Sequence, residues 1–377
     1  MRALAAAADL TYLYFSDPGE APLTLADLPF CRRVVAVPKP PAYGLWNNIR
    51  GLAGPWPLQI LNYSCAEMSA AVARETASSS FDLIHLESIH MVRYAMEVTA
   101  VKAQARTIYD WHNIESEAMR RYSESAASPA RRGYARVTAG KLERVEREIL
   151  GTAFGHIVCS EREQQQLHRI APRARVEVIE NGVDTRQFEK AGEGERKIPR
   201  LIFVGAMDYF ANSDAAVFFA REIWPLVLSR LGNAELTIVG SAPGPAVRAL
   251  GELPGITVTG TVPDVRPWYS GALAAVVPLR TGGGTRLKIL EAMAAGVPVI
   301  STPLGAEGLE VTDGENALLV NSDDAQGWVN RVAELAESPA RRASLIAAGR
   351  RLVETRYDWE LLGGKLWKTY RNWLAQG

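Results

Sequence analysis

Short apolar, β-branched runs recur along the chain and alternate with stretches of helical period. VVAVP (34–38), FDLIHLE (81–87), ARTIYDW (105–111), HIVCS (156–160) and VEVIEN (176–181) read as strands, with SAAVARETA and GKLERVEREILG as helices among them. After the polar stretch DTRQFEKAGEGERKIPR the alternation restarts with LIFVG (201–205), LTIVG (236–240), ITVTG (256–260), AAVVPL (274–279) and VPVIS (297–301). Strands with apolar residues on both faces, linked by helices, predict two α/β domains built on parallel sheets. The expected layout is an N-terminal domain over 1–184, a linker over 185–200, a second domain over 201–355 and a C-terminal helix over 356–377. That last helix carries an aromatic stripe, WELLGGKLWKTYRNWL, with no strand after it, and is expected to cross back to the first domain. MRALAAAADL reads as the tail of a helix and TYLYFS as a strand, so the first domain is expected to lack its opening strand.

Composition narrows this only a little. A chain of 377 residues with 47% apolar and 22% charged residues suits a soluble protein of two or three domains. With 42 basic and 42 acidic residues, nothing points to nucleic acid or a strongly acidic partner. Cys31, Cys65 and Cys159 are far apart and lack metal-ligand spacing, which predicts free thiols in a reducing compartment and no metal site. No apolar run reaches the ~20 residues of a membrane helix, and the start lacks a signal-peptide core. A cytoplasmic protein is expected.

The stretch with most chemistry is RTGGGTRLKILEAMAAGVPVIS, from Arg280 to Ser301. AAVVPL ends at this run and LKILEAMAAG reads as a helix, so Gly282, Gly283 and Gly284 sit on a strand-to-helix turn. Open parallel sheets bind ligands at that edge. A bare backbone at a helix start presents unpaired N–H groups and the positive end of the helix dipole, which suits phosphate. Thr285, Arg286 and Lys288 lie in the first turn. Glu291 follows Thr285 by six residues, roughly 9 Å at 1.5 Å per residue, a workable offset for a ribose diol when phosphates sit at the glycines. The ligand implied is a nucleotide diphosphate. The plainer alternative is a flexible turn followed by a tightly packed helix, with Gly296 as its C′ residue.

There is no Walker A sequence and no D-x-D motif to carry a metal–diphosphate. A departing diphosphate then needs protein cations, each worth on the order of 4 kcal/mol at ~4 Å and an effective dielectric of ~20, before desolvation. Arg286 and Lys288 are the first candidates and Arg280 the next.

Long co-linear motifs carry a resemblance to a known family: VIENGVDTRQF, LIFVGAMDYFANSDA, LTIVGSAP, ITVTGTVPDVRPWYSGA and PLRTGGGTRLKILEAMAAGVPVISTPLGAEGL, with FDLIHLES and YDWHNIES in the first half. The chain resembles the family 4 (group 1) glycosyltransferases, and within them a bacterial subset tied to exopolysaccharide or exosortase loci. The resemblance implies a GT-B fold, two facing Rossmann-like domains with a cleft between them, the donor sugar nucleotide on the second and the acceptor on the first. It implies retention of configuration, no metal and no cofactor. Its E-x7-E signature places the ribose-binding carboxylate on Glu291. The other acidic position falls on Gly283, which removes one sugar contact. The loop GAMDYFANSDA lacks the basic pair many relatives carry, which shifts the diphosphate charge onto Arg286 and Lys288. His112 matches a family histidine that approaches the donor sugar. Gly205, Leu287 and Glu307 complete the expected donor set. In relatives a strand and a glycine-rich loop precede the segment that opens this chain, and a start codon set too late is the favoured explanation.

Three local features read differently. Ser160 and Glu163 form an S-x-x-E capping box. Asn181–Gly182 is expected to be a hinge turn with Gly182 at positive φ. Trp46 and Trp56, with the arginine-rich 120–136, suit either a mobile acceptor loop and a solvated helix or a peripheral contact with the inner membrane surface. The acceptor is expected to be a glycan or lipid-linked sugar. The rival readings are a non-catalytic nucleotide-sugar binder and a nucleotide-sugar epimerase of the same fold.

Overall fold

The computed structural model describes residues 1–376 other than 42–43, 102–105, 126–127, 190, 193, 195–196 and 283–285, with backbone alone at 45, 46, 48, 99–101 and 125. The chain forms two compact units: Met1–Glu180 with Gly363–Gly377, and Asn181–Leu362.

In the first unit, β1 (Thr11–Ser16) and β2 (Arg33–Pro38) form a parallel pair. A separate four-stranded parallel sheet runs in chain order: β3 (Ile84–Glu87), β4 (Thr107–Trp111), β5 (Gly155–Val158) and β6 (Val176–Val178). Leu86, Tyr109, Trp111 and Val158 from these strands pack with Leu142, Val145 and Ile149 of the long helix Pro129–Thr152. Ser160 caps the next helix, Glu161–Ile170. Its hydroxyl accepts from the Glu163 N–H, and the Glu163 carboxylate accepts from the Cys159 N–H at 3.1 Å. The first bond is the cap the S-x-x-E spacing predicts; the return bond falls on the Cys159 N–H, one residue before the N-cap.

The second unit holds a six-stranded parallel sheet in the order β12-β11-β10-β7-β8-β9. Its members are β7 (Arg200–Val204), β8 (Glu235–Val239), β9 (Ile256–Val258), β10 (Ala274–Val277), β11 (Val299–Ser301) and β12 (Leu318–Leu319). The order reverses between β7 and β10, the doubly wound switch point whose carboxyl edge is the usual ligand crevice of such sheets. Every residue of β10 is buried, as are Leu201, Ile202 and Phe203 of β7. Central strands covered on both faces demand such uninterrupted apolar runs.

Three expectations need correction. The stretch 185–200 does not act as a linker: it lies inside the second unit. Thr185 Oγ1 donates to Asp358 Oδ2 at 2.5 Å, and the Gly192 N–H donates to the Ala295 carbonyl at 2.8 Å. Its charged side chains hid a backbone held by tertiary hydrogen bonds. Gly182 is not at positive φ. A β-carbon there would stand 2.5 Å from the Tyr357 carbonyl and 2.6 Å from Leu362 Cδ1, so close approach, not turn geometry, requires glycine. Trp56, expected on a mobile loop or at a membrane surface, is half-buried beneath Arg93 and packs on the first unit's core.

The C-terminal helix Trp359–Ala375 changes unit along its length. From Gly363 onward it packs in the first unit. Trp373 lies where a β-carbon on Gly155 would fall, 2.5 Å from its ring, and Lys365 pairs with Glu180 at 3.0 Å. No described helix is long and apolar enough to cross a membrane.

Candidate functional site: the sheet switch point and the strand ends of the first unit

Two helices begin just beyond the switch point of the second sheet: Phe210–Phe218 after β7, and Leu287–Ala294 after β10. Each directs its first-turn N–H groups and positive dipole end toward the strand ends. Between them stand Lys288 and Asn212. Lys288 Nζ donates to Asn212 Oδ1 at 2.5 Å and lies 4.8 Å from the centre of the Phe203 ring. Asn212 Nδ2 in turn donates to the Ala206 carbonyl at 2.8 Å. Burial, reinforced by the Arg286 charge, pushes the Lys288 amine down to about 7, against the pull of Glu291.

Gly205 makes room for this pair. A β-carbon there would fall 2.8 Å from Lys288 Nζ and 2.9 Å from Asn212 Nδ2. Gly282, at φ +102°, is the described glycine of the turn, and a β-carbon on it would meet Ala211 Cβ at 2.8 Å and Tyr209 Oη at 2.9 Å. The conformation and the crowding both call for glycine. Gly283, Gly284 and Thr285 lie outside the described residues.

Arg286 is buried, at 3% exposure, and one guanidinium nitrogen donates to the carbonyls of Gly282 at 3.3 Å and Leu304 at 3.1 Å. It ties the glycine turn to the Leu304–Ala306 turn that precedes Glu307. Glu291 is half-buried one turn along from Lys288. Burial raises its carboxyl pKa, and Lys288 offsets part of that rise. Leu287 and Glu307 are exposed. Arg280 points elsewhere: its guanidinium makes a two-pronged pair with Asp214, at 2.6 and 3.1 Å, and lies over the Phe218 ring. Lys288, Glu291, Arg286, Gly205 and Gly282 are therefore gathered at one edge, and Arg280 is engaged away from them. The sequence reading missed Asn212, because the stretch GAMDYFANSDA holds no cation and was judged only for that; Asn212 lies in the first turn of the helix Phe210–Phe218.

His112 belongs to the first unit, just beyond β4. Its Nε2 lies 2.8 Å from Glu87 Oε2, and that hydrogen bond raises the imidazole pKa above its usual value. His85 and Asp110 stand beside the same carboxylate. This grouping also escaped the sequence reading.

Two family models match this chain. A model described as Glycosyltransferase Family 4 matches residues 1–187, and one described as Glycosyl transferases group 1 matches residues 198–338. The chain belongs to the group 1, family 4 glycosyltransferases.

Among the relatives of this glycosyltransferase chain, a phosphatidyl-myo-inositol mannosyltransferase of Mycolicibacterium smegmatis is 29% identical over 206 residues, covering 53% of this chain and 52% of that protein. The lipopolysaccharide core biosynthesis mannosyltransferase LpsB of Rhizobium meliloti is 29% identical over 189 residues, 46% of this chain and 54% of that protein. The chain spans about half the length of these curated relatives. Among solved structures, sucrose-phosphate synthase of Thermosynechococcus elongatus superposes with a TM-score of 0.74 at 21% identity, covering 100% of this chain and 92% of that one. Anabaena Alr3699/HepE, in complex with UDP and glucose, gives 0.66 at 15% identity, covering 96% and 99%. At these identities the likeness establishes the fold, which is of the GT-B type.

Proposed function

We propose that this chain transfers a sugar from a nucleotide-diphosphate donor to a glycan or lipid-linked acceptor, with retention of configuration, in bacterial polysaccharide or envelope glycan synthesis. One observation carries the reading. At the sheet's switch point a lysine of depressed pKa, a half-buried carboxylate and two helix starts surround two glycines, Gly205 and Gly282, whose missing β-carbons leave room there. The helix starts and Lys288 suit the diphosphate, and Glu291 suits a ribose diol as an acceptor of its hydroxyl hydrogen bonds. Arg286 acts mainly by holding the Gly282 turn in shape.

In this reading catalysis rests on positioning and on charge stabilisation of the leaving diphosphate. The lysine supplies a cation on the scale of the leaving group, and the donor's own phosphate oxygen takes the acceptor proton. Because two curated relatives are mannosyltransferases, one of phosphatidyl-myo-inositol and one of lipopolysaccharide core, a mannose-type donor and lipid or saccharide acceptors are the first to try. The test is titration of the whole chain with UDP-, GDP-, ADP- and dTDP-sugars. One of them is expected to bind with micromolar affinity and to yield transferred product with an acceptor extract. Binding of none, or binding unchanged by Glu291→Ala, overturns the reading. Binding with neither transfer nor hydrolysis leaves the non-catalytic binder as the answer.

A further inference from the structure

The ends of β3 and β4 carry two short patterns, His85-x-Glu87 and Asp110-x-His112. Side chains alternate along a strand, so each pattern puts both members on one face. The parallel register sets Glu87 directly opposite Asp110. Two carboxylates in that relation repel, and something of opposite charge is needed between them.

His85 faces that point. Its Nε2 lies 3.5 Å from Glu87 Oε1 and 3.4 Å from Asp110 Oδ2. Neither approach makes a hydrogen bond, and Nε2 is buried without a partner. The other ring nitrogen, Nδ1, is held by the Tyr370 hydroxyl. One ligand atom from each of the three residues lies within 4.8 Å of the others. Ser88, which follows Glu87, holds φ +74° without being glycine, and its N–H donates to the Asp110 carbonyl at 3.0 Å. Strain of that kind gathers at functional positions.

We propose that His85 Nε2, Glu87 Oε1 and Asp110 Oδ2 bind one divalent transition-metal ion of the zinc type, with His112 donating to Glu87 Oε2 outside the coordination shell. Metal–ligand bonds of about 2.0–2.2 Å at tetrahedral angles put neighbouring ligand atoms about 3.3–3.6 Å apart, which is the spacing His85 makes with both carboxylates. In the tautomer whose Nδ1–H donates to the Tyr370 hydroxyl, the Nε2 lone pair is left for the ion, the arrangement that second-shell partners give metal-bound histidines. Two carboxylates neutralise a dication. One imidazole with two carboxylates favours a borderline ion such as Zn²⁺ over Mg²⁺ or Ca²⁺, which prefer oxygen ligands alone. Three protein ligands leave a fourth position open, and Glu87, 59% exposed, stands at the solvent side. The inference concerns the first unit alone and shares only His112 with the proposed transfer reaction, so loss of zinc binding and loss of donor binding at the second unit are read separately.

The experiment is calorimetric titration of the chelator-treated whole chain with zinc chloride, then with magnesium chloride, and visible absorption after cobalt addition. One zinc per chain is expected, with ligand-field bands of bound cobalt and no competition from millimolar magnesium. Asp110→Asn and Glu87→Gln should each weaken zinc at least 100-fold with thermal midpoints near that of the parent chain. His112→Gln should weaken it about 10- to 100-fold, as loss of an outer-shell partner does. His168→Gln, on the helix Glu161–Ile170 away from these strand ends, should bind as the parent does. No zinc bound by the parent chain, equal binding by folded Asp110→Asn and Glu87→Gln, or displacement by magnesium would overturn the assignment.

Discussion

Lys288 Nζ stands 2.5 Å from Asn212 Oδ1, a contact across 76 residues of sequence that joins the first turns of two helices at the sheet's switch point. The amine is held at about 7 there, chiefly by burial. A dianionic diphosphate favours the protonated form, so binding draws a proton from solution wherever free Lys288 is partly neutral. Donor affinity should therefore rise as pH falls from 8.5 toward 6.5. Calorimetry in two buffers of different ionisation enthalpy should show proton uptake near pH 7.5. Lys288→Met should lose at least tenfold in donor affinity, which is about 1.4 kcal/mol, and lose the uptake. Its persistence in that variant would assign the titration to another group.

The same lysine makes a separate claim on stability. Its pKa is depressed in the folded chain, so between about 7 and the unfolded value near 10.4 the unfolded chain binds more protons. Stability from this group therefore increases as pH rises through that window. In urea unfolding between pH 7 and 9, Lys288→Met should lack part of the rise seen in the parent. Parallel curves for the two chains would show that the amine is not depressed.

Gly205→Ala tests the geometry with one methyl group. The new carbon would fall 2.8 Å from Lys288 Nζ and 2.9 Å from Asn212 Nδ2, the ends of two side chains, so the pair has to shift. Donor affinity should drop several-fold with little change in the thermal midpoint. A large fall in the midpoint would instead mark Gly205 as a packing residue.

Much of this architecture was legible in the alternation of apolar runs, because strands of a doubly wound sheet are buried on both faces and show little polar interruption. β12 was missed because Leu318–Leu319 is too short to present a pattern. Gly205 and Gly282 were legible as glycines at strand ends, and Glu291 by its offset along a helix. Pairings set by tertiary register were not. Asn212 meets Lys288, and Glu87 faces Asp110, only after the strands have taken their order. Arg280 shows the reverse relation. Its position in the chain suits a phosphate, yet Asp214 and Phe218 hold it.

Glu291→Gln isolates the ribose contact. The carboxylate should accept from both hydroxyls of the diol, and each charge-assisted bond contributes about 1.5–3 kcal/mol. The amide keeps one acceptor oxygen, so affinity for the preferred donor should fall about 10- to 100-fold. For the 2′-deoxy analogue the parent should lose affinity while Glu291→Gln loses much less. Equal losses in both chains would place the ribose away from this carboxylate.

Arg280 supplies the counter-test, because position along the chain and position in the fold disagree about it. It stands at the head of the glycine run, where a cation near the diphosphate was expected. Its guanidinium is instead paired in two-pronged fashion with Asp214, and both side chains are more than a third exposed. Exposed pairs contribute roughly 0–1 kcal/mol. Arg280→Ala should therefore change donor affinity by less than about threefold and lower stability by less than about 1 kcal/mol. The loss at Lys288→Met should be much larger. Comparable losses in affinity at the two positions would mean that the donor breaks the Asp214 pair on binding, and that the switch-point lysine does not act alone.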